Sequence, residues 1–378
     1  MNESKATRYQ RLRRRARAAS AGSAALMLAI VALTPVARWL RDLAWASVGG
    51  PKGVAAGAFA LALFVTFVVL LWELANLPAA IYLARRVDSA YSQSSAPSVE
   101  EVLAEQAQAA LVALPAALAG SAAVLLAVWL AGAWWWAVAG PLIALLLAAA
   151  LQIAPSVFAR LGRLRRLDRP ALAARLSALA VRAGVPVVGI DEWVVDDGSA
   201  ATALVTGVGP TRRILLSSDI ARRWADDEVA VVVAHELAHH VYSDLWRTFA
   251  LHVAVLWASL FAAHLVVTRL SPGASEGIGD FAALPLVALV TFAIWMLAAP
   301  LRHAQSRRHE RRADRFALAM TGSVDAFGAA VTRLGARRLA EERPSALTRW
   351  LYHSHPSVAE RLALAESFRA GAATSGRR

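Results

Sequence analysis

The chain has 378 residues, 58% of them apolar, with no cysteine and a formal net charge of +13, which is the composition of a membrane protein. Without cysteine there are no disulfides, no thiolate metal sites and no thiol nucleophile, so any metal must be held by His and carboxylate ligands. The excess charge is almost entirely Arg, gathered in RLRRRAR from Arg11, RLGRLRR from Arg160 and RRHERR from Arg307. Each run flanks an apolar stretch and none is interleaved with stacking aromatics, so a topology signal outranks nucleic-acid binding and no nucleic-acid partner is expected.

Six apolar runs are long enough to cross about 30 Å of hydrocarbon. They cover residues 22–40, 54–76, 109–131, 133–154, 248–268 and 281–300. The first follows a basic segment but lacks a small-residue cleavage site, and more runs follow, so it reads as an uncleaved first membrane helix. Near the end of the second, Glu73, Pro78 and Tyr82 either line a polar chamber or cap a kinked helix. The small-residue run from Ala109 can pack helices within or between subunits, and oligomeric state stays open. Trp134, Trp135 and Trp136 join the third and fourth runs, where an interfacial aromatic belt belongs. Six spans put both termini on one side, and the Arg counts make that side the cytoplasm. The polar segments after residues 155 and 301 then share it.

The segment 155–247 is expected to carry a small soluble core. A helix near 170–183 ends at Gly184, a C-cap signal. Short β-rich runs follow at Ile190–Val195, Ala203–Val208 and Arg213–Leu216, separated by DDGS and GVGP turns, and predict a small sheet. The strand from Ala203 either offers an open edge to an extended peptide or is an ordinary sheet strand. Asp226, Asp227 and Glu228 then complement the start of a helix that carries HELAHH at 235–240.

In HELAHH, His235 and His239 lie four apart, on one helical face and within reach of one ion, with Glu236 beside the water such an ion would hold. A third protein ligand must come from elsewhere. The segment beyond the sixth run reads SRRHERRADRFAL from Ser306, with Glu310 and Asp314 four apart on a predicted helix. Glu310 is the expected third ligand, and Asp314 is expected to orient a ligand His. Two spans lie between the halves and return the chain to the same side. His309 is expected at the surface and His303 near the entrance. His252 and His264, inside a membrane run, are either functional or packed against another helix.

These motifs resemble the integral-membrane zinc metallopeptidases of the CAAX prenyl endopeptidase type, related to the HtpX-type quality-control proteases. The resemblance runs from about residue 70 onward through Ile153–Pro155, TALVTGVGPTRRILL from Thr202, HELAHH, SRRHERRADRFAL and HSHPSVAERL from His353. It implies one zinc per chain on His235, His239 and Glu310, Glu236 as catalytic carboxylate, Asp314 as supporting acid, and active-site roles for His355 and Arg361. Those two either stabilise an oxyanion or form a Pro-anchored turn and an exposed helix Arg. The family's Asn-Ala-Tyr signature reads Thr202, Ala203, Leu204 here, and its seven spans are six.

The expected fold is therefore mainly α: a polytopic membrane helix bundle with a small α+β zinc-metallopeptidase domain. Its segments are 1–154 with four spans, 155–247 with HExxH, 248–300 with two spans, and 301–378 with ExxxD and HSHPSVAER. The expected protein is a multi-pass cell-membrane enzyme cutting a protein or peptide substrate at the bilayer. An HtpX-like clearance protease and a non-catalytic membrane scaffold are the alternatives.

Overall fold

The computed structural model describes residues 4–51, 53–91, 96–161, 164–193, 203–207, 209–270, 277–337, 339–341 and 343–375. Helix α1 (Lys5–Leu33) takes in the basic run and the start of the first apolar run, then stops before Pro35, which has no N–H to continue the ladder. The expected span 22–40 is thus divided, and α2 (Val36–Ser47) begins after the proline. Helix α3 (Gly53–Tyr82) contains Pro78 and passes through a π-helical segment, Leu83–Asp88, into α4 (Ser89–Tyr91). Helix α5 (Val99–Ala131) opens on a capping box between Ser98 and Glu101. Gly132, at φ +53°, interrupts it before α6 (Trp135–Leu161).

Among the described residues four helical stretches are long and apolar enough to cross a membrane, or five if one bent pair counts as a span. The six apolar runs map onto them because the third and fourth fall together in the 54-residue stretch Val99–Gln152. At 1.5 Å per residue that stretch is about 80 Å long, more than twice the hydrocarbon thickness, and the break at Gly132 divides it. The sixth run ends in the bend of 48° between Phe281–Leu297 and Ala299–Thr321, where Pro300 withholds a backbone donor.

The soluble elements follow. Strand β1 (Leu164–Arg166) lies inside RLGRLRR, which sequence reading assigned to topology alone. Then come α7 (Pro170–Arg182), β2 (Gly189–Trp193), β3 (Ala203–Thr206), β4 (Arg213–Ser217) and α8 (Ser218–Arg223). Residues 194–202, including Thr202 and the DDGS turn, fall outside the described residues. The sheet order is β1-β2-β4-β3, with only the β2–β4 pair parallel. Gly207, at φ +88°, makes the β3–β4 turn possible, since a Cβ there would meet Thr211 O at 2.5 Å.

Helix α9 (Asp226–Val241) carries HELAHH and is buried on almost every side from Val229 to Ala238. Its three leading acids meet Arg169, Arg175 and Arg333 in turn, and Glu228 also accepts from the Ala225 N–H at 3.2 Å. After α10 (Asp244–Leu270) and α11 (Leu284–Leu297) come α12 (Ala299–Thr321), α13 (Val324–Arg337), α14 (Ala346–Tyr352) and α15 (Val358–Ser375).

By contacts the chain forms two units. The first comprises Met1–Gln10, Ala148–Leu251 and Ala299–Arg378. Its core joins Leu172 and Leu176 of α7, Ile214 and Leu216 of β4, Val233 and Leu237 of α9, Leu318 of α12 and Phe327 of α13. The second comprises Arg11–Leu147 and His252–Ala298. It packs Leu40, Phe64, Val124, Trp135, Leu260 and Phe281 together, and an Arg41–Asp280 ion pair sits at its edge.

Candidate metal centre

One turn of α9 separates His235 from His239, and their ring centroids lie 5.1 Å apart. Helix α12 packs along α9 and brings Glu310 between them. His235 Nε2 is 3.4 Å from Glu310 Oε2, and His239 Nε2 is 3.7 Å from Oε1. Around a tetrahedral zinc with bonds near 2.0–2.1 Å, ligand atoms sit roughly 3.3 Å apart, so this triangle is the right size for one ion. Among the described residues these three are the His and carboxylate set whose ligand atoms converge, all within 4.8 Å of one another.

The other nitrogen of each ring is fixed by a carboxylate. His235 Nδ1 lies 2.9 Å from Asp314 Oδ1, and His239 Nδ1 lies 2.9 Å from Asp244 Oδ2. A carboxylate beside Nδ1 favours a proton on that nitrogen and leaves Nε2, which faces Glu310, as the atom a metal would take, the outer arrangement that metal-binding imidazoles use. Asp314 lies one turn beyond Glu310 on α12, beside His235. Asp244 was not foreseen. It is brought back under His239 because the chain reverses at Ser243, a non-glycine residue at φ +54°, and Arg312 then pairs with it.

The electrostatics fit a cation. Burial disfavours charge on His235, but Asp314 and then Glu310 outweigh it and raise the ring to about 10. Burial likewise pushes Glu310 upward, yet His235, with His355 and His239 behind it, holds its carboxyl down at about 2. Asp314, enclosed against His235 and Arg361, is lowered as well. Three carboxylates around two imidazoles concentrate negative potential where the Nε2 atoms meet, and a divalent metal ion suits that donor set.

The C-terminal motif supplies the rest. Arg307 on α12 donates to the carbonyls of Arg349 at 3.0 Å and His353 at 2.5 Å, and His353 faces Glu341 at 3.3 Å. Held this way, the loop places His355 Nε2 3.5 Å from Glu310 Oε1. Ser357 and Glu360 form a reciprocal cap that starts α15, with bonds of 2.9 and 3.2 Å. One turn on, Arg361 reaches Asp314 through two bonds, Nε to Oδ2 at 2.9 Å and Nη2 to Oδ1 at 2.5 Å. Arg361 is thus not an exposed helix residue but bound to Asp314. Glu236 stands half-buried beside His235.

His309 is not at the surface. It is buried, with Nε2 3.7 Å from Asp244 Oδ1, because α9 and the start of α10 enclose α12 on more than its Glu310 face. His303 lies beside the Leu351 backbone. His252 and His264 pack against Trp295 and Trp135 at 5.0 and 6.2 Å. His240 Nε2 lies 3.0 Å from Val205 O and ties β3 to α9.

Residues 166–368 match Peptidase family M48. The chain belongs to that family. Its relatives include the uncharacterized metalloprotease YhfN of Bacillus subtilis, 28% identical over 201 residues, which are 52% of this chain and 47% of that protein. A protease HtpX homolog of Desulfotalea psychrophila is 26% identical over 51% of this chain and 72% of its own length. A CAAX prenyl protease 1 homolog of Caenorhabditis elegans is 29% identical over 40% of this chain and 35% of its own. The match thus spans about half the length of YhfN. In fold the chain is similar to the crystal structure of S. mikatae Ste24p, with a TM-score of 0.71 at 18% identity over 86% of this chain and 79% of that one. Membership brings a metallopeptidase framework, and with the apolar helices it makes this a membrane-associated protein.

Proposed function

We propose that the chain is a zinc endopeptidase of the membrane, cutting protein or peptide chains held at the bilayer. The observation that carries this is the convergence of His235, His239 and Glu310, each imidazole backed on Nδ1 by its own carboxylate. These three residues would hold one zinc per chain, which would supply the Lewis acidity for activating a water and polarising a carbonyl. Glu236 takes a proton from the attacking water as its oxygen bonds to the scissile carbon, then passes that proton to the leaving amine as the C–N bond breaks. His355, half-exposed and with Nε2 3.5 Å from Glu310 Oε1, donates to the oxygen on which negative charge develops. Asp314 and Arg361 hold His235, and Asp244 holds His239. The Arg-rich flanks are what supports a cytoplasmic side for this site and both termini.

The test is elemental analysis of the purified protein together with cleavage of an unfolded protein in detergent. The expected result is one zinc per chain and chelator-sensitive cleavage, lost in Glu236→Gln while zinc stays bound. Retained turnover in that variant overturns the mechanism. One zinc with no cleavage by the unaltered chain favours a scaffold.

A further inference from the structure

Helix α14 buries none of its seven residues. Leu347 and Trp350, three apart and on one face, are 65% and 52% exposed, and Tyr352 at its end is exposed too. The opposite side is anchored. Arg349 pairs with Glu360 at 2.6 Å, and the carbonyls of Arg349 and His353 accept from Arg307. The helix is thus fixed by its inner face and presents Leu and Trp outward.

Its anchorage also fixes its level. The Leu351 backbone lies beside His303, which is in the second turn of α12 and six residues past the last residue of apolar α11. Two residues further, Gln305 donates to the Arg247 carbonyl at 3.0 Å. Arg247 is in the first turn of α10, a helix apolar enough to cross a membrane. Helix α14 is therefore tied to the start of α12, and α12 to the first turn of α10, all within the first unit. Exposed Leu245, Trp246 and Leu301 stand at the same level. Trp and Tyr are the side chains that settle at a membrane–water boundary, and exposed aliphatic neighbours flanked by Arg, here Arg343, are the chemistry of a segment lying in the headgroup region.

We propose that α14 is seated in the bilayer interface, with Leu347 and Trp350 inserted among lipid, and that it delivers membrane-held chains to the metal cluster. The second half rests on the endopeptidase reading. The path is short: the chain runs from Tyr352 to His355 in three residues, at most about 11 Å.

Because the chain has no cysteine, one introduced thiol can be spin-labelled selectively. Leu347→Cys is compared with Val181→Cys, an exposed apolar position on α7, in vesicles of phosphatidylcholine and phosphatidylglycerol. The label at 347 is expected to be relaxed by oxygen, which dissolves in lipid, and shielded from a water-soluble nickel chelate. The label at 181 should show the reverse. A 347 label reached by the chelate, or shielded from both agents as beneath a second protein copy, overturns the seating. For delivery, Trp350→Asp should slow cleavage of a myristoylated peptide in those vesicles by roughly tenfold, with the unacylated peptide cut at the unaltered rate. Equal loss on both peptides overturns delivery. Cleavage of neither by the unaltered protein overturns the endopeptidase reading and delivery with it, while the labels still decide the seating.

Discussion

Arg361 grips Asp314 with two parallel hydrogen bonds, and Asp314 in turn holds Nδ1 of His235. Asp314 is fully enclosed and Arg361 nearly so. Removing the guanidinium leaves a buried carboxylate without its two-pronged partner, a loss of about 3–5 kcal/mol. Arg361→Ala is therefore expected to lower the unfolding temperature markedly and to weaken metal binding. Arg361→Lys recovers charge but not the two-pronged geometry and should fall between. Calorimetry with a competing zinc chelator measures both effects.

Asp244→Asn isolates the partner of His239. The amide keeps the size but gives up the charge that polarises the ring, and zinc affinity is expected to drop about 10–100-fold. Arg312 also loses its partner, so some loss of stability accompanies this. Competitive chelator titration reads the affinity, and circular dichroism should show the fold retained.

Gly207→Ala places a Cβ against Thr211 O in a backbone conformation that side chains avoid. The expected cost is about 1–3 kcal/mol. Because Val205 of the same hairpin is tied to His240, exchange protection should fall at β3 and at the end of α9 before it falls in α7.

Glu192 gives a pH signature away from the metal. Burial raises its carboxyl, but Ser218, Arg222 and Arg165 outweigh that and bring it below the ordinary value. A lowered carboxylate contributes stability above its unfolded pKa of about 4.3, and that contribution disappears as pH falls through the folded value. Glu192→Gln should thus be clearly less stable than the unaltered chain near neutrality, with the gap closing in acid. Parallel thermal melts from pH 7 down to pH 3 check this.

HExxH and ExxxD were legible because each is a single-turn relationship, and helical periodicity depends only on nearest neighbours along the chain. Their union was legible because the intervening apolar runs count in a pair. Asp244 was not, since its role depends on a chain reversal at Ser243, where no glycine advertises the turn. His309 was misplaced for a related reason: a helix with polar residues all round looks solvated, and only packing on several sides reveals otherwise. Strand β1 lay hidden in a basic run whose charges pair across the strands, as Arg165 does with Glu192. The break at Pro35 was visible in the sequence, but composition over a long window masked a single missing donor.

The Ser357–Glu360 cap has a consequence for how this chain can vary. It fixes the point at which α15 starts, with His355 just before and Arg361 one turn after. One inserted residue between the cap and Arg361 would swing that side chain about 100° around the helix axis, away from Asp314. Length here is thus more constrained than identity at Ala359, which can be exchanged for other helix formers, while Val358 packs on the core beside Gly335; a single-codon insertion or deletion between Ser357 and Arg361 is expected to be as damaging as the loss of Arg361 itself.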